Sequence, residues 1–226
     1  MITRAQITKQ ADKDGVDART VERDYILAHI VALIAAQDIK SSLAFKGGTS
    51  LRLVHLEDYG YSADVYYSIL AGSLEDARRL VGGALQASSN DSISELYLTD
   101  DSPPKIAYRG PLQKQRTVKL DIAADEIVVH IESRPLLTRW RDVPTSNVIV
   151  YTPLEIAGEK LRCVLQRLQC RDILDLDLLF GQIGVDPVDA AHLFARKALH
   201  RGFEADSLAA KYKSALRNTR SDGLQS

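Results

Sequence analysis

The stretch Ala44-Phe45-Lys46-Gly47-Gly48-Thr49-Ser50-Leu51-Arg52 decides how this chain is read. The short run from Ser42 to Phe45 reads as a strand entering a glycine turn, and Thr49 to Leu56 as the helix that leaves it. Glycine lets the backbone come close to a phosphate, and the first turn of a helix has N–H groups without intrahelical partners. Gly47, Gly48, Thr49 and Ser50 therefore form a candidate phosphate cradle. A glycine pair before a helix is also an ordinary loop, and at this point both readings stand. The Gly-x-x-x-x-Gly-Lys-Ser/Thr pattern is absent, so the turn is not a P-loop.

Working outward, Tyr61-Ser62-Ala63-Asp64-Val65-Tyr66-Tyr67-Ser68 leads into a strand over 65–70 with one carboxylate, Asp64, at its start. Val118-Lys119-Leu120-Asp121-Ile122 alternates within an extended stretch over 117–123 and carries a second carboxylate, Asp121. Carboxylates on neighbouring strands suit Mg²⁺, which takes oxygen ligands and keeps several waters; the plain alternative is two strand charges facing water. Further on, Lys160 and Asp175 stand in a charged helical segment. Lys160 can meet phosphate oxygens as a point charge, with Asp175 as a base or as the group orienting it. The alternative is ion pairing among Glu159, Lys160, Arg167, Arg171 and Asp172.

The remaining chain gives a helix over 18–37 capped by Asp17, with Val21, Tyr25, Ala28, Ala32 and Ala35 at helical spacing. A helix over 74–87 follows, capped by Ser73, then a polar break over 88–91. Extended stretches come next, over 93–98, 106–109, 117–123 and 127–130, with a turn over 100–104. Residues 134–147 read as a linker. Thr152-Pro153-Leu154-Glu155 then starts a helix running toward Gln169, with Thr152 as N-cap, Pro153 at the first position and Glu155 at the third. The end of the chain, 219–226, reads as frayed. The picture is a helical N-terminal arm, an α/β core and a helical C-terminal lobe.

Composition narrows the function classes. The 226 residues are 45% apolar and 26% charged with a net charge of -1, ordinary for a globular protein and without global attraction to nucleic acid. Any such contact needs a local patch, and basic residues cluster in Arg109, Lys114, Arg116 and Lys119 and in Arg196, Lys197, His200 and Arg201. No apolar run is long enough for a membrane span and the N-terminus lacks a signal-peptide core, which places the protein in the cytoplasm. The five histidines show no metal-ligand spacing. Cys163 and Cys170, on one continuous helix, would lie roughly 10 Å apart along its axis, too far for a disulfide, and read as reduced core thiols.

Taken together, these residues resemble the AbiEii-type nucleotidyltransferase toxin family. Four segments carry the match in the family's order: Val21-Glu22-Arg23-Asp24-Tyr25; Phe45 to Arg52; Tyr61-Ser62-Ala63-Asp64; and Glu159-Lys160-Leu161-Arg162 with Arg171 to Leu176. The resemblance implies an α+β, polymerase-β-like nucleotidyltransferase core with the helical arm over 1–147, and a helical lobe over 148–226. It implies transfer of a nucleoside monophosphate from an NTP with Mg²⁺, in some members to the 3′ end of tRNA so that translation stops, and a winged-helix antitoxin as partner. Carried over by position, Gly47, Gly48, Thr49 and Ser50 would hold the triphosphate, and Asp64 would bind metal, with Asp121 on the strand bearing a further carboxylate. Lys160 and Asp175 would complete the site, with Ser62 in the same signature. The chain departs from the family twice. Gly60 stands where an arginine is usual, and Tyr66, a phenol with a pKa near 10, replaces a second aspartate. The departure at Tyr66 supports a second expectation, a nucleotidyltransferase fold that only binds nucleotide, RNA or an antitoxin.

Overall fold

The computed structural model describes residues 2–37, 42–86, 93–167 and 169–202. The polar break over 88–91, the end of the helix at 87 and the final 219–226 lie outside the described residues. Two compact units emerge, one made of residues 1–125 and 131–151, the other of 126–130 and 152–226. The expected division between 147 and 148 cuts through a strand that pairs inside the first unit, and the crossing segment 126–130 goes with the second.

In the first unit, helices α1 (Arg4–Asp14) and α2 (Ala18–Ala35) precede the sheet. Asp17 caps α2 by accepting from the Arg19 amide at 2.7 Å, as its position predicts. The expected apolar stripe of α2 is fully buried, and so are Leu27, Val31, Ile26 and Ile30 around it. From Ile26 to Ala35 this helix is apolar but for His29 and almost wholly buried, and it forms the centre of the core with Tyr67, Val118, Leu120 and Val150. Helix α1, unassigned from the sequence, buries only Ile7 and Ala11.

The strands are β1 (Leu43–Lys46), β2 (Val65–Ile69), β3 (Glu95–Leu98), β4 (Lys105–Arg109), β5 (Gln115–Ala123), β6 (Ile131–Pro135) and β7 (Asn147–Tyr151). Among the described residues they form one mixed sheet in the order β3-β4-β5-β2-β1-β7-β6. β1 runs antiparallel to β2 and parallel to β7, and β2 runs parallel to β5. Helix α4 (Leu74–Gln86) joins β2 to the edge hairpin, with Ser73 donating its hydroxyl to Asp76 and accepting the Asp76 amide.

Three expectations change. Residues 127–130 form no strand: the Val129 and His130 amides go to the buried Glu155 carboxylate at 3.2 and 3.0 Å, which removes them from any ladder. The strand lies one step later, at β6, whose last two residues run into the expected linker, and its polar pattern ending in Pro135 fits an edge strand. The helix after the glycine turn begins at Gly47 itself, as α3 (Gly47–Ser50), and widens into a π turn over Leu51–His55.

The second unit holds α5 (Pro153–Arg167), α6 (Cys170–Asp177) continuing into a π turn over Leu178–Gln182, and α7 (Pro187–His200). The Thr152 hydroxyl accepts from the Glu155 amide at 3.2 Å, the cap its sequence predicts. Because α5 ends at Arg167, Cys163 and Cys170 are not on one continuous helix; Cys170 is exposed and Cys163 half-buried, so the core-thiol expectation fails for Cys170. Among the described residues no helix is long and apolar enough to cross a membrane.

Candidate active site

The glycine turn is built by a close approach. β1 pairs Lys46 with Tyr66 of β2, which brings the Tyr66 ring over the first residue of α3. Gly47 has a φ of +78°, and a Cβ placed there would lie 3.1 Å from Tyr66 Cδ2. Glycine is thus required twice, for its conformation and for the absent side chain.

The two hydroxyls after the glycines are both buried and both engaged. Thr49 Oγ1 donates to the Asp64 carbonyl at 2.5 Å and stands 2.5 Å from Ser62 Oγ. A hydroxyl has one hydrogen, so Ser62 is the donor to Thr49. Ser50 Oγ donates to the Gly47 carbonyl at 2.7 Å. Thr49 and Ser62 therefore pin the turn to the segment that carries Asp64, and the backbone of Gly47 and Gly48 is the part shaped to meet a phosphate.

Register then assembles a polar face. β2 and β5 are parallel with Tyr66 opposite Asp121, while Val65 and Tyr67 pair with Leu120 and Ile122 on the other face. Val65, Tyr67, Val118 and Leu120 are buried in the core; Lys119 and Asp121 point the other way and are each 43% exposed. Tyr66 donates its hydroxyl to Asp64 Oδ2 at 3.1 Å. Lys119 Nζ lies 3.1 Å from Asp121 Oδ2 and 5.7 Å from the Tyr66 ring centroid. Lys46 shares this face by its pairing with Tyr66, with its ammonium 5.8 Å from the Tyr151 ring. One side of the sheet thus carries two carboxylates, two ammonium groups and a phenol beside the glycine turn.

Asp64 and Asp121 are the carboxylates of this face, and no three His, Cys, Asp or Glu side chains gather among the described residues. Mg²⁺ is often held by one or two carboxylates, with waters and substrate phosphates completing its shell. The donor set fits an ion that arrives with a nucleotide, not one caged by protein alone.

Lys160 and Asp175 belong to the second unit, and the other seven candidates to the first. There Lys160 Nζ sits 2.9 Å from Asp172 Oδ1 and 2.5 Å from Asp175 Oδ2. Asp172 and Asp175 are three apart on α6 and so share a helix face. Arg167 forks onto Asp172 with Nε at 2.8 Å and a terminal nitrogen at 3.0 Å. All three partners of the lysine cluster are buried: Lys160 is 7%, Asp172 0% and Asp175 3% exposed. Burial works against the Lys160 charge, but the Asp175 and Asp172 carboxylates outweigh it and hold the ammonium pKa above its usual value. Burial likewise opposes the Asp172 charge, and Arg167 and Lys160 outweigh it to hold its carboxyl low. Lys160 is therefore a fixed positive charge, and Asp175 is placed to orient it. The pairing anticipated as a charged helix face is present, but it is buried rather than solvated.

Sequence reasoning named Asp172 only as an ion-pairing residue and Lys119 only in a basic cluster, and assigned neither to the site. Asp172 was visible as the residue three before Asp175, and Lys119 as the residue two before Asp121 on the same strand face. Of the basic residues seen as patches, Arg109 pairs with Glu95 at 2.8 Å, and Lys197 with Glu155 at 2.6 Å.

Two outcomes follow. Gly47→Ala should destabilise the protein by about 1–2 kcal/mol through the left-handed backbone alone, with a further clash that Tyr66→Ala relieves. Urea unfolding of the two single variants and the double variant should therefore show a loss smaller than the sum; strict additivity would contradict the contact. Lys160→Met should cost about 3–5 kcal/mol at pH 7 by leaving Asp172 and Asp175 buried without their shared cation. In the wild type, the low Asp172 pKa stabilises the fold above the ordinary carboxylate range and that gain fades on acidification. The deficit of the variant should accordingly narrow as pH falls below the ordinary carboxylate range, and a deficit independent of pH would contradict the ionic account.

Comparisons with known proteins bear on the family and the fold of the chain. The family described as the nucleotidyl transferase AbiEii toxin of type IV toxin–antitoxin systems matches residues 30–223. Among solved structures, the chain is similar to MenT4, a nucleotidyltransferase toxin of Mycobacterium tuberculosis H37Rv, at 19% identity and a TM-score of 0.72, over 86% of this chain and 69% of that one. It is also similar to an antigenic nucleotidyltransferase-like protein of Paracoccidioides brasiliensis, at 16% identity and a TM-score of 0.47, over 81% of this chain and 92% of that one. No curated protein matches. The likeness to MenT4 is one of fold. With the family match covering most of its length, the chain belongs to the AbiEii nucleotidyltransferase toxin family of type IV toxin–antitoxin systems.

Proposed function

We propose that this chain transfers a nucleoside monophosphate from an NTP to the 3′ end of RNA, a tRNA in the cell, and thereby blocks translation. The observation that carries the reading is the polar face that sets Asp64, Asp121, Lys46 and Lys119 beside the Gly47-Gly48 turn. Backbone amides at the start of α3 hold the triphosphate, and the two ammonium groups balance its charge. Asp64 and Asp121 would hold Mg²⁺, which when bound supplies charge neutralisation at the phosphates. The 3′ hydroxyl oxygen bonds to the α-phosphorus, and the bond from that phosphorus to the bridging oxygen of the β-phosphate breaks. Pyrophosphate leaves, and the hydroxyl proton passes to water. Within the second unit, Lys160 is held as a protonated, fixed positive charge by Asp172 and Asp175. Thr49, Ser50 and Ser62 act by fixing the turn. The protein works in the cytoplasm, and a winged-helix antitoxin restrains it.

A second reading is favoured by one contact. The Tyr66 hydroxyl occupies Asp64 Oδ2, where a second carboxylate would add a metal ligand. On this reading the chain binds NTP, RNA or antitoxin without turnover. Incubation with unfractionated tRNA, Mg²⁺ and each labelled NTP separates the two. The transferase reading expects incorporation with at least one NTP, and a loss of about 10²-fold or more on Asp64→Asn. Incorporation by Tyr66→Asp with none by the folded wild type would establish the binder instead.

A further inference from the structure

The Val21 to Tyr25 segment carries a residue that the fold itself does not use. Asp24 binds the buried Arg52 and accepts from Trp140 Nε1, Glu22 accepts the Leu112 amide, and Tyr25 donates to Asp142. Arg23 is half-buried and makes no hydrogen bond or ion pair among the described residues. It lines a cleft of about 360 Å³ in the first unit, between the start of α2 and the paired residues Tyr108 and Arg116 of β4 and β5.

Three arginines converge there. Arg19 is paired through two bonds, at 2.8 and 2.9 Å, with Asp17, which also lines the cleft. Arg116 Nε lies 3.5 Å from the buried Glu22 Oε2, too long for a hydrogen bond, and neither atom has a hydrogen-bond partner among the described residues. Thr20 and Thr117 add hydroxyls to the wall. Against the single exposed carboxylate of Asp17, the cleft presents the guanidinium groups of Arg19, Arg23 and Arg116. A chain of net charge -1 has no global field to draw a polyanion, so attraction has to be local.

We propose that this cleft is a docking site for an RNA backbone phosphate, with Arg23 as its principal donor and Arg116 beside it. The proposal rests on RNA being the acceptor. Arginine forks with hydroxyls and a helix start are groups that hold phosphodiesters and fix register without reading sequence. The cleft begins five residues before Asp121 on β5, roughly 17 Å along the strand, so it binds acceptor RNA away from the reacting end. An acidic protein segment is the competing occupant. RNA is favoured because the wall combines forked donors with hydroxyls, and Tyr108 is its one aromatic residue.

The test measures binding of unfractionated tRNA by the full chain over a salt series, in wild type, Arg23→Gln and Arg23→Lys, with polyglutamate and inorganic phosphate as competitors. Arg23 makes no hydrogen bond or ion pair among the described residues, so its variants should melt as the wild type does. Arg23→Gln should weaken tRNA binding roughly tenfold and lower the log–log salt slope by about one, while NTP binding stays unchanged. Arg23→Lys should retain the slope. Unchanged affinity and slope in Arg23→Gln would overturn the proposal and leave the transferase reading standing. Polyglutamate binding that Arg23→Gln abolishes, with tRNA binding intact, would give the cleft to an acidic partner and overturn it. Displacement of tRNA by millimolar phosphate alone would reduce the cleft to a free-anion site. A wild type that incorporates no nucleotide into tRNA and binds none would remove the acceptor reading itself.

Discussion

The packing of Tyr66 against the bare backbone of Gly47 is the constraint on which the site depends. It fixes how closely β2 approaches the start of α3, and only glycine permits it, because of both the +78° φ and the space. Everything on the polar face inherits its position from that contact. The Lys46–Tyr66 pairing places one ammonium, the Tyr66–Asp121 pairing places a carboxylate, and the Tyr66 hydroxyl reaches Asp64. Thr49 and Ser62 lock the same region from below through buried hydroxyl bonds. Tyr66 is therefore a structural centre of this site.

The electrostatics of the face follow. A second aspartate at 66 would put a further negative charge beside Asp64 and call for cations to balance it. With a phenol there, Asp64 gains a neutral donor, and Lys119 balances Asp121. The face is already close to charge neutrality without an ion, which suits an ion delivered with its nucleotide. In the second unit the same logic is carried further, since a buried ammonium between two carboxylates, one of them forked by Arg167, is stable only as a complete set.

Much of this was legible in the sequence where one physical signal dominated. The α2 helix announces itself through a long apolar period and an aspartate cap, β5 through alternation, and the start of α5 through Thr152-Pro153. The illegible parts lack such a signal. α1 buries two residues on a polar helix, and β6 is a polar edge strand closed by proline. The backbone of 129–130 is diverted by Glu155, a long-range partner that no local pattern reveals. For the site, residue types were legible but their employment was not: Thr49 and Ser50 look like phosphate ligands in sequence and serve the fold in structure.

The central claim is that an NTP sits on the face bearing the Gly47 turn. Hydrogen–deuterium exchange of the full chain, with and without a saturating non-hydrolysable NTP and Mg²⁺, tests it directly. The account predicts new protection concentrated in residues 47–55, 61–68 and 117–123. Binding that leaves these three segments unprotected while protecting others would contradict it.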